Sequence, residues 1–302
     1  MNKHPVSVAV ALAFASLGAH AQALPTSAQV TSGSGTVSQP NANSMLVTQT
    51  TDKLAMNWQS FNIGAGGSVR FDQPSASSIA LNRVIGGSRS EIYGNLSANG
   101  QVFLVNPNGV LFGRGAQVDV GGLVASTLNI TDRDFLDGKY VFSDSSNRAA
   151  VTNEGTLSGR YIAMIGHQAI NRGTVQANSV ALGGGTTVQL TLSDNKLVRF
   201  EVKESALDAL AENGGLIRAN GGQVILTAGA RDSLLASAVN NTGIIEAQTV
   251  ERQAGNILLL AGMEAGTTHV GGRLDASAPA SLNPNGGDGG FVVFYHWHLP
   301  LL

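Results

Sequence analysis

A chain of 302 residues can bury a large core, yet only 13% of it is charged, about half the usual share, and glycine reaches 38 residues. Apolar content of 43% excludes disorder as the reason for the low charge, and a formal net charge of −2 leaves no electrostatic footprint for nucleic acid. With no cysteine, disulfide staples, thiolate metal sites and cysteine nucleophiles are excluded.

Lys3 and the amino terminus precede a short apolar run, Val6 to Leu17, and then the small-x-small pattern Ala19-His20-Ala21. This arrangement predicts a secretory signal peptide over residues 1–21 and a mature chain starting at Gln22, with Ala21-Gln22-Ala23 as a competing cleavage pattern. The run is too short for a permanent membrane span, and no later stretch approaches ~18 unbroken apolar residues.

Beyond the leader, short strands alternate with Gly/Asn-rich breaks, as in Gln101-Val-Phe-Leu-Val105, Gly109-Val-Leu-Phe-Gly113 and Ala116-Gln-Val-Asp-Val120. Asp132, Asp134 and Asp137, beside Arg133, fall in a segment that reads as a turn, where aspartate is favoured for backbone reasons alone. From Val151 a loose repeat begins. Asn153-Glu-Gly-Thr-Leu157 recurs as Asn171-Arg-Gly-Thr-Val175, Asn213-Gly-Gly-Leu-Ile217 and Asn241-Thr-Gly-Ile-Ile245, with a degenerate copy at Gly271 to Ala276. A shared Asn-x-Gly corner at irregular spacing marks a solenoid with insertions. Asn and Gly suit a left-handed corner, and the alternating Leu, Ile and Val between corners predict inward columns stacked coil on coil.

Residues 187–213 break the pattern. Thr187 to Leu192 and Lys196 to Val202 flank Ser193-Asp-Asn195 and predict a hairpin, and Glu204 to Glu212 predicts a short helix stopped at Asn213-Gly214. The fold class expected is all-β: a right-handed parallel β-helix with an N-terminal β cap, plus this small hairpin and helix outside the stack. Residues 22–290 form that domain. Residues 291–302, rich in aromatics and lacking the Gly/Asn rhythm, read as an atypical tail of a truncated or frameshifted chain.

Catalytic candidates are thin. The Asp132 group lacks a strand-borne carboxylate pair. His167 and His269 have no nucleophile motif near them, and His296-x-His298 offers two imidazoles without a third ligand. Asp288, in Gly286-Gly-Asp-Gly-Gly290, resembles one unit of a glycine-rich calcium repeat without tandem copies. No enzyme activity, cofactor or metal is expected.

The segment 24–136 carries the most specific pattern. Leu24-Pro-Thr26, Asn57-Trp-Gln-Ser-Phe-Asn-Ile-Gly64, Val69-Arg-Phe71, Ala80-Leu-Asn-Arg-Val84, Gly100 to Gly113 and Gly121 to Leu128 follow in order. Together they closely resemble the filamentous haemagglutinin N-terminal domain of two-partner secretion exoproteins, most strongly its high-molecular-weight adhesin branch. Asn106-Pro-Asn-Gly109 matches a hallmark of that family, although a second element, Asn-Pro-Asn-Leu, is missing upstream. Asn283-Pro-Asn-Gly286 repeats the tetrapeptide late in the chain and reads as another turn.

The resemblance implies a secreted or surface-located adhesin whose N-terminal domain is recognised by an outer-membrane β-barrel partner and nucleates folding outside the cell. Asn106, Pro107, Asn108 and Gly109, with Asn57, Trp58 and Phe61, are the candidates for transporter recognition or for the folding nucleus. For Trp58 and Phe61 the cap of the rod is the favoured role, because an open solenoid end must be covered. A host glycan or receptor and a monomeric state complete the expectation. The rival readings are an autonomous carbohydrate-binding or polysaccharide-cleaving β-helix and a repeat protein retained in the periplasm.

Overall fold

The computed structural model describes residues 24–146, 148–193, 196–230, 238–251, 253–261 and 266–295. The expected signal peptide and His296 and His298 therefore lie outside the described residues.

The chain winds into a parallel β-helix with three faces. Strands Ser90–Ile92, Val110–Phe112, Ala150–Asn153, Gln168–Asn171, Leu210–Asn213, Val239–Asn241 and Thr268–Val270 form one seven-stranded parallel face. The other two faces belong to a 16-stranded sheet. Its long strands, Asn95–Val105, Gln117–Ser126, Thr156–Gly166 and Thr174–Gly184, cross from one face to the next. Later coils split the same path into separate strands, Leu216–Arg218 and Gln223–Ala228.

Stacking in register makes columns of like side chains inside the rod. Leu96, Val118, Leu157, Val175, Ile217 and Ile245 lie one above another, each essentially removed from water. Every such side chain contributes about 1.5–3 kcal/mol of burial, and none finds that burial within its own coil. The apolar alternation between corners thus has the predicted consequence.

The N-terminal end is closed differently. Gln29–Ser32 pairs antiparallel with Lys53–Trp58, and Gly35–Asn41 pairs antiparallel with Ser44–Gln49. These strands cover the first coil so that its interior does not meet water.

The Asn-x-Gly corners have a different cause from the one expected. Gly155, Gly173, Gly215, Gly243 and Gly272 are not among the glycines with positive φ. They are glycine because successive coils touch there: a Cβ on Gly173 would lie 2.2 Å from the Gly155 carbonyl oxygen, and one on Gly215 would lie 2.1 Å from that of Gly173. The asparagines point inward and are fully buried. Asn153 Nδ2 donates to Asn171 Oδ1 at 2.8 Å, Asn171 to Asn213 at 2.8 Å, and Asn213 to Asn241 at 2.7 Å. This ladder satisfies amides that would each be costly to bury alone.

Two expectations need correction. The segment predicted as a helix, Glu204 to Glu212, instead turns through Asp208 at φ +57° and enters the strand Leu210–Asn213, which pairs in parallel with Gln168–Asn171. A nine-residue helix is marginal alone, whereas this strand buries Ala211 and seats Asn213 in the ladder. Conversely, the Asp132 segment is a short helix, Asp132–Leu136, and not a simple turn. Thr131 caps it, its Oγ1 accepting from the Asp134 N–H at 3.0 Å, and Phe135 is buried.

The predicted hairpin, Thr187–Ser193 with Lys196–Glu204, is present and is joined by Tyr140–Ser143 in a three-stranded antiparallel sheet. This sheet and the short helix cover an outward-facing apolar stripe of the solenoid. Phe103 sits at its centre, 5.3 Å from the Tyr140 ring and 6.1 Å from that of Phe135. The segment 291–302, read as foreign to the repeat, opens with a strand that obeys it. Phe291–Tyr295 pairs in parallel with Asn256–Ala261, setting Val292 on Ile257 and Phe294 on Leu259.

Candidate functional site: the N-terminal cap and the Asn-Pro-Asn-Gly corner

The residues singled out from the sequence fall into two places that both hold early coils together. In the corner, Gly109 N–H donates to the Asn106 carbonyl at 3.0 Å, closing a β-turn, and Gly109 takes φ +117°, which favours glycine. Asn106 is fully buried, and its Oδ1 accepts from the Asn108 N–H at 2.9 Å. Its Nδ2 donates to the Ser88 carbonyl and to Ser90 Oγ, each at 3.0 Å. Asn108 remains exposed yet donates from Nδ2 to the Gly86 carbonyl at 2.8 Å. The tetrapeptide thus pins the preceding loop, residues 86–90, to the end of the long strand Asn95–Val105.

Trp58 and Phe61 are interior residues. Their rings meet edge to face at 5.5 Å, and Trp58 Nε1 donates to Asn82 Oδ1 at 3.0 Å inside the core. Asn57, half-buried beside them, accepts from Arg83 Nη1 at 3.3 Å through its Oδ1. Neither aromatic ring offers a surface to a partner in the folded chain.

Arg83 and Asn82 organise this end, and no role for them was read from the sequence. Arg83 donates to Asn129 Oδ1 and the Ile130 carbonyl, and pairs with Asp132 at 2.8 Å. One guanidinium therefore ties Asn57, the second coil and the entry to the short helix. The signal was there: Asn82 and Arg83 interrupt an apolar strand, and a strand-borne arginine normally requires several acceptors.

His167 lies at the corner leading from Thr156–Gly166 into Gln168–Asn171, buried, with its Nδ1 unpaired among the described residues. Burial, and secondarily Arg148, hold its pKa below the usual 6.5, against a smaller opposing influence from Asp208. A lowered folded pKa makes protonation favour the unfolded chain, so stability holds above the unfolded value and falls once pH drops below it. Denaturation midpoints at pH 7.5 and pH 5 should show this fall, and His167→Gln should reduce it. An unchanged pH dependence in that variant assigns the effect elsewhere.

A capped first coil, a pinned corner and a regular parallel stack make up the scaffold on which the candidate residues sit. A family model described as the TPS secretion domain matches residues 21–271. Two Heme/hemopexin-binding proteins from Haemophilus influenzae are similar: one is 34% identical over 260 residues, covering 80% of this chain and 28% of that protein. The other is 32% identical over 255 residues, covering 76% and 27% respectively. The chain thus spans less than a third of those relatives. The HMW1 secretion domain from Haemophilus influenzae superposes with a TM-score of 0.71 at 27% identity, covering 81% of this chain and 65% of that one. A filamentous hemagglutinin secretion domain superposes at 0.51 with 15% identity, covering 84% and 99%, a likeness of fold alone. With its cap, the Asn106 corner and most of its coils inside the matched range, the chain belongs to the family of TPS secretion domains, the secretion domains of two-partner exoproteins.

Proposed function

We propose that this domain brings an adhesin-type exoprotein to a dedicated outer-membrane β-barrel and then nucleates β-helix growth outside the cell. A signal peptide over residues 1–21 would deliver it to the periplasm, and activity toward host molecules would belong to other parts of the protein. The observation that carries the reading is the use made of the candidate residues. Asn106, Trp58 and Phe61 are consumed by folding. A transporter contact with them is therefore made by the extended chain, through strand pairing and side-chain pockets, before the solenoid forms. Once outside, each added coil gains its burial from the coil before it, which opposes return through the barrel.

The test is release into the medium with and without the barrel gene expressed, for wild type and for Asn106→Ala/Asn108→Ala. Barrel-dependent release of a protease-resistant β-rich product is expected, and the double variant should lose most of it. Refolding of the purified variant separates the two roles. Slowed refolding marks the corner as a nucleus, and normal refolding with failed release marks it as a recognition element. A wild-type protein that stays folded in the periplasm whether or not the barrel is present overturns the proposal.

A further inference from the structure

The second Asn-Pro-Asn-Gly tetrapeptide, residues 283–286, folds like the first and lacks one of its bonds. Gly286 N–H donates to the Asn283 carbonyl at 3.0 Å, and Gly286 takes φ +79°. Asn283 is 3% exposed, and its Nδ2 donates to the Thr249 carbonyl at 2.6 Å and the Pro279 carbonyl at 3.2 Å. In the first corner the asparagine Oδ1 accepts from a backbone N–H. Here Asn283 Oδ1 is buried without a partner among the described residues, and so is Thr249 Oγ1 on the residue that Asn283 binds.

Asn283 also lines a cleft of about 460 Å³ together with Glu251, Gln253, Asn285 and Gly286. A Cβ built on Gly287 would meet the Glu251 carbonyl oxygen at 3.4 Å and Asn283 Oδ1 at 3.5 Å. Both oxygens thus lie beside Gly287, next to the cleft, at distances a methyl group would tolerate. Glu251 holds φ +54°, rare for a residue with a Cβ, and its carboxylate is exposed and makes no ion pair among the described residues. Asp288, also exposed, follows Gly287 directly.

The geometry points to a calcium site at this cleft, held by Asn283 Oδ1 and the Glu251 carbonyl, with the Glu251 and Asp288 carboxylates within the same two loops. Among the described residues no three His, Asp or Glu side chains are grouped as a metal site, so the ligands are mainly neutral oxygens. That donor set suits a hard cation with irregular coordination, calcium before magnesium, which demands near-ideal octahedral geometry and dehydrates reluctantly. With few charges in the set, affinity falls in the range of extracellular modules, a Kd on the order of 10⁻⁴–10⁻³ M. Its effect is to fasten the loop 276–290 to residues 248–251 one coil below.

The whole purified chain, stripped of metal, is titrated with calcium chloride in a calorimeter and melted in calcium, magnesium or sodium chloride at equal ionic strength. Saturable calcium heats are expected, with a rise in Tm that magnesium reproduces only weakly. Gly287→Ala sets a methyl group beside both oxygens at ordinary contact distances, crowding an ion held between them, and should abolish the heats while leaving the calcium-free Tm unchanged. If that variant melts lower without calcium, the exposed Glu251→Gln carries the test, with binding expected to weaken at least about tenfold. Calcium heats retained in both variants, or equal responses to calcium and magnesium, overturn the site.

Discussion

Asn171→Ala should cost about 3 kcal/mol of unfolding free energy, more than most single substitutions in the molecule. Asn171 receives Nδ2 of Asn153 and gives its own to Asn213, so its removal strands a donor on one coil and an acceptor on another. Both sit in an interior with no exposure, where each unpaired group costs about 1–3 kcal/mol. The alanine leaves a small space as well, although the cavity is minor beside the polar cost. Urea denaturation followed by circular dichroism measures the change, with the slope m checked for constancy. A loss below about 1 kcal/mol would mean that the neighbouring amides re-pair, and the ladder would then be packing and not a polar necessity.

Trp58→Ala should be as severe, about 3–5 kcal/mol, because it empties the largest buried side chain of the cap. The indole N–H also donates to the buried Asn82 Oδ1 at 3.0 Å. Trp58→Phe separates the two contributions: it keeps most of the ring packing against Phe61 and forfeits the hydrogen bond, so an intermediate loss is expected. Hydrogen exchange should show the damage concentrated in Lys53–Trp58, Gln29–Ser32 and Ile79–Val84. A tryptophan that could be truncated almost freely would be poorly packed, and its availability to a transporter in the folded state would have to be reconsidered.

Much of the fold was legible because the solenoid writes the same demand into each coil. The inward Leu, Ile and Val and the recurring Asn-x-Gly corner repeat at positions that the structure stacks directly, such as Asn153, Asn171, Asn213 and Asn241. What escaped the sequence depends on partners distant along the chain. Tyr140–Ser143 finds Thr187–Ser193 only because both cover the stripe around Phe103, and nothing local announces that pairing. Glu204 to Glu212 has helical spacing in isolation, and its end enters the strand Leu210–Asn213 because the coil below offers a register and an asparagine to meet. Glycine at the corners was read correctly as essential and for the wrong reason, since crowding by the neighbouring coil sets it and not backbone handedness. Asn106 and Trp58 could be singled out from the sequence, but burial is invisible in a motif, and both lie inside the folded chain. The polar organiser Arg83 shows its value only when its acceptors arrive from Asn57, Asn129 and Ile130.

The asparagine column also has a sense. Each amide passes its hydrogens toward the C-terminal coil and presents its oxygen to the coil before, and Asn153 Oδ1, at the origin, is held by the Gly155 N–H at 3.0 Å. Turning one amide around would set two NH₂ groups face to face at one joint and two oxygens at the other. No member can reverse alone, so the four behave as a single dipolar chain whose direction is chosen once, at its first link, and inherited by every coil that follows.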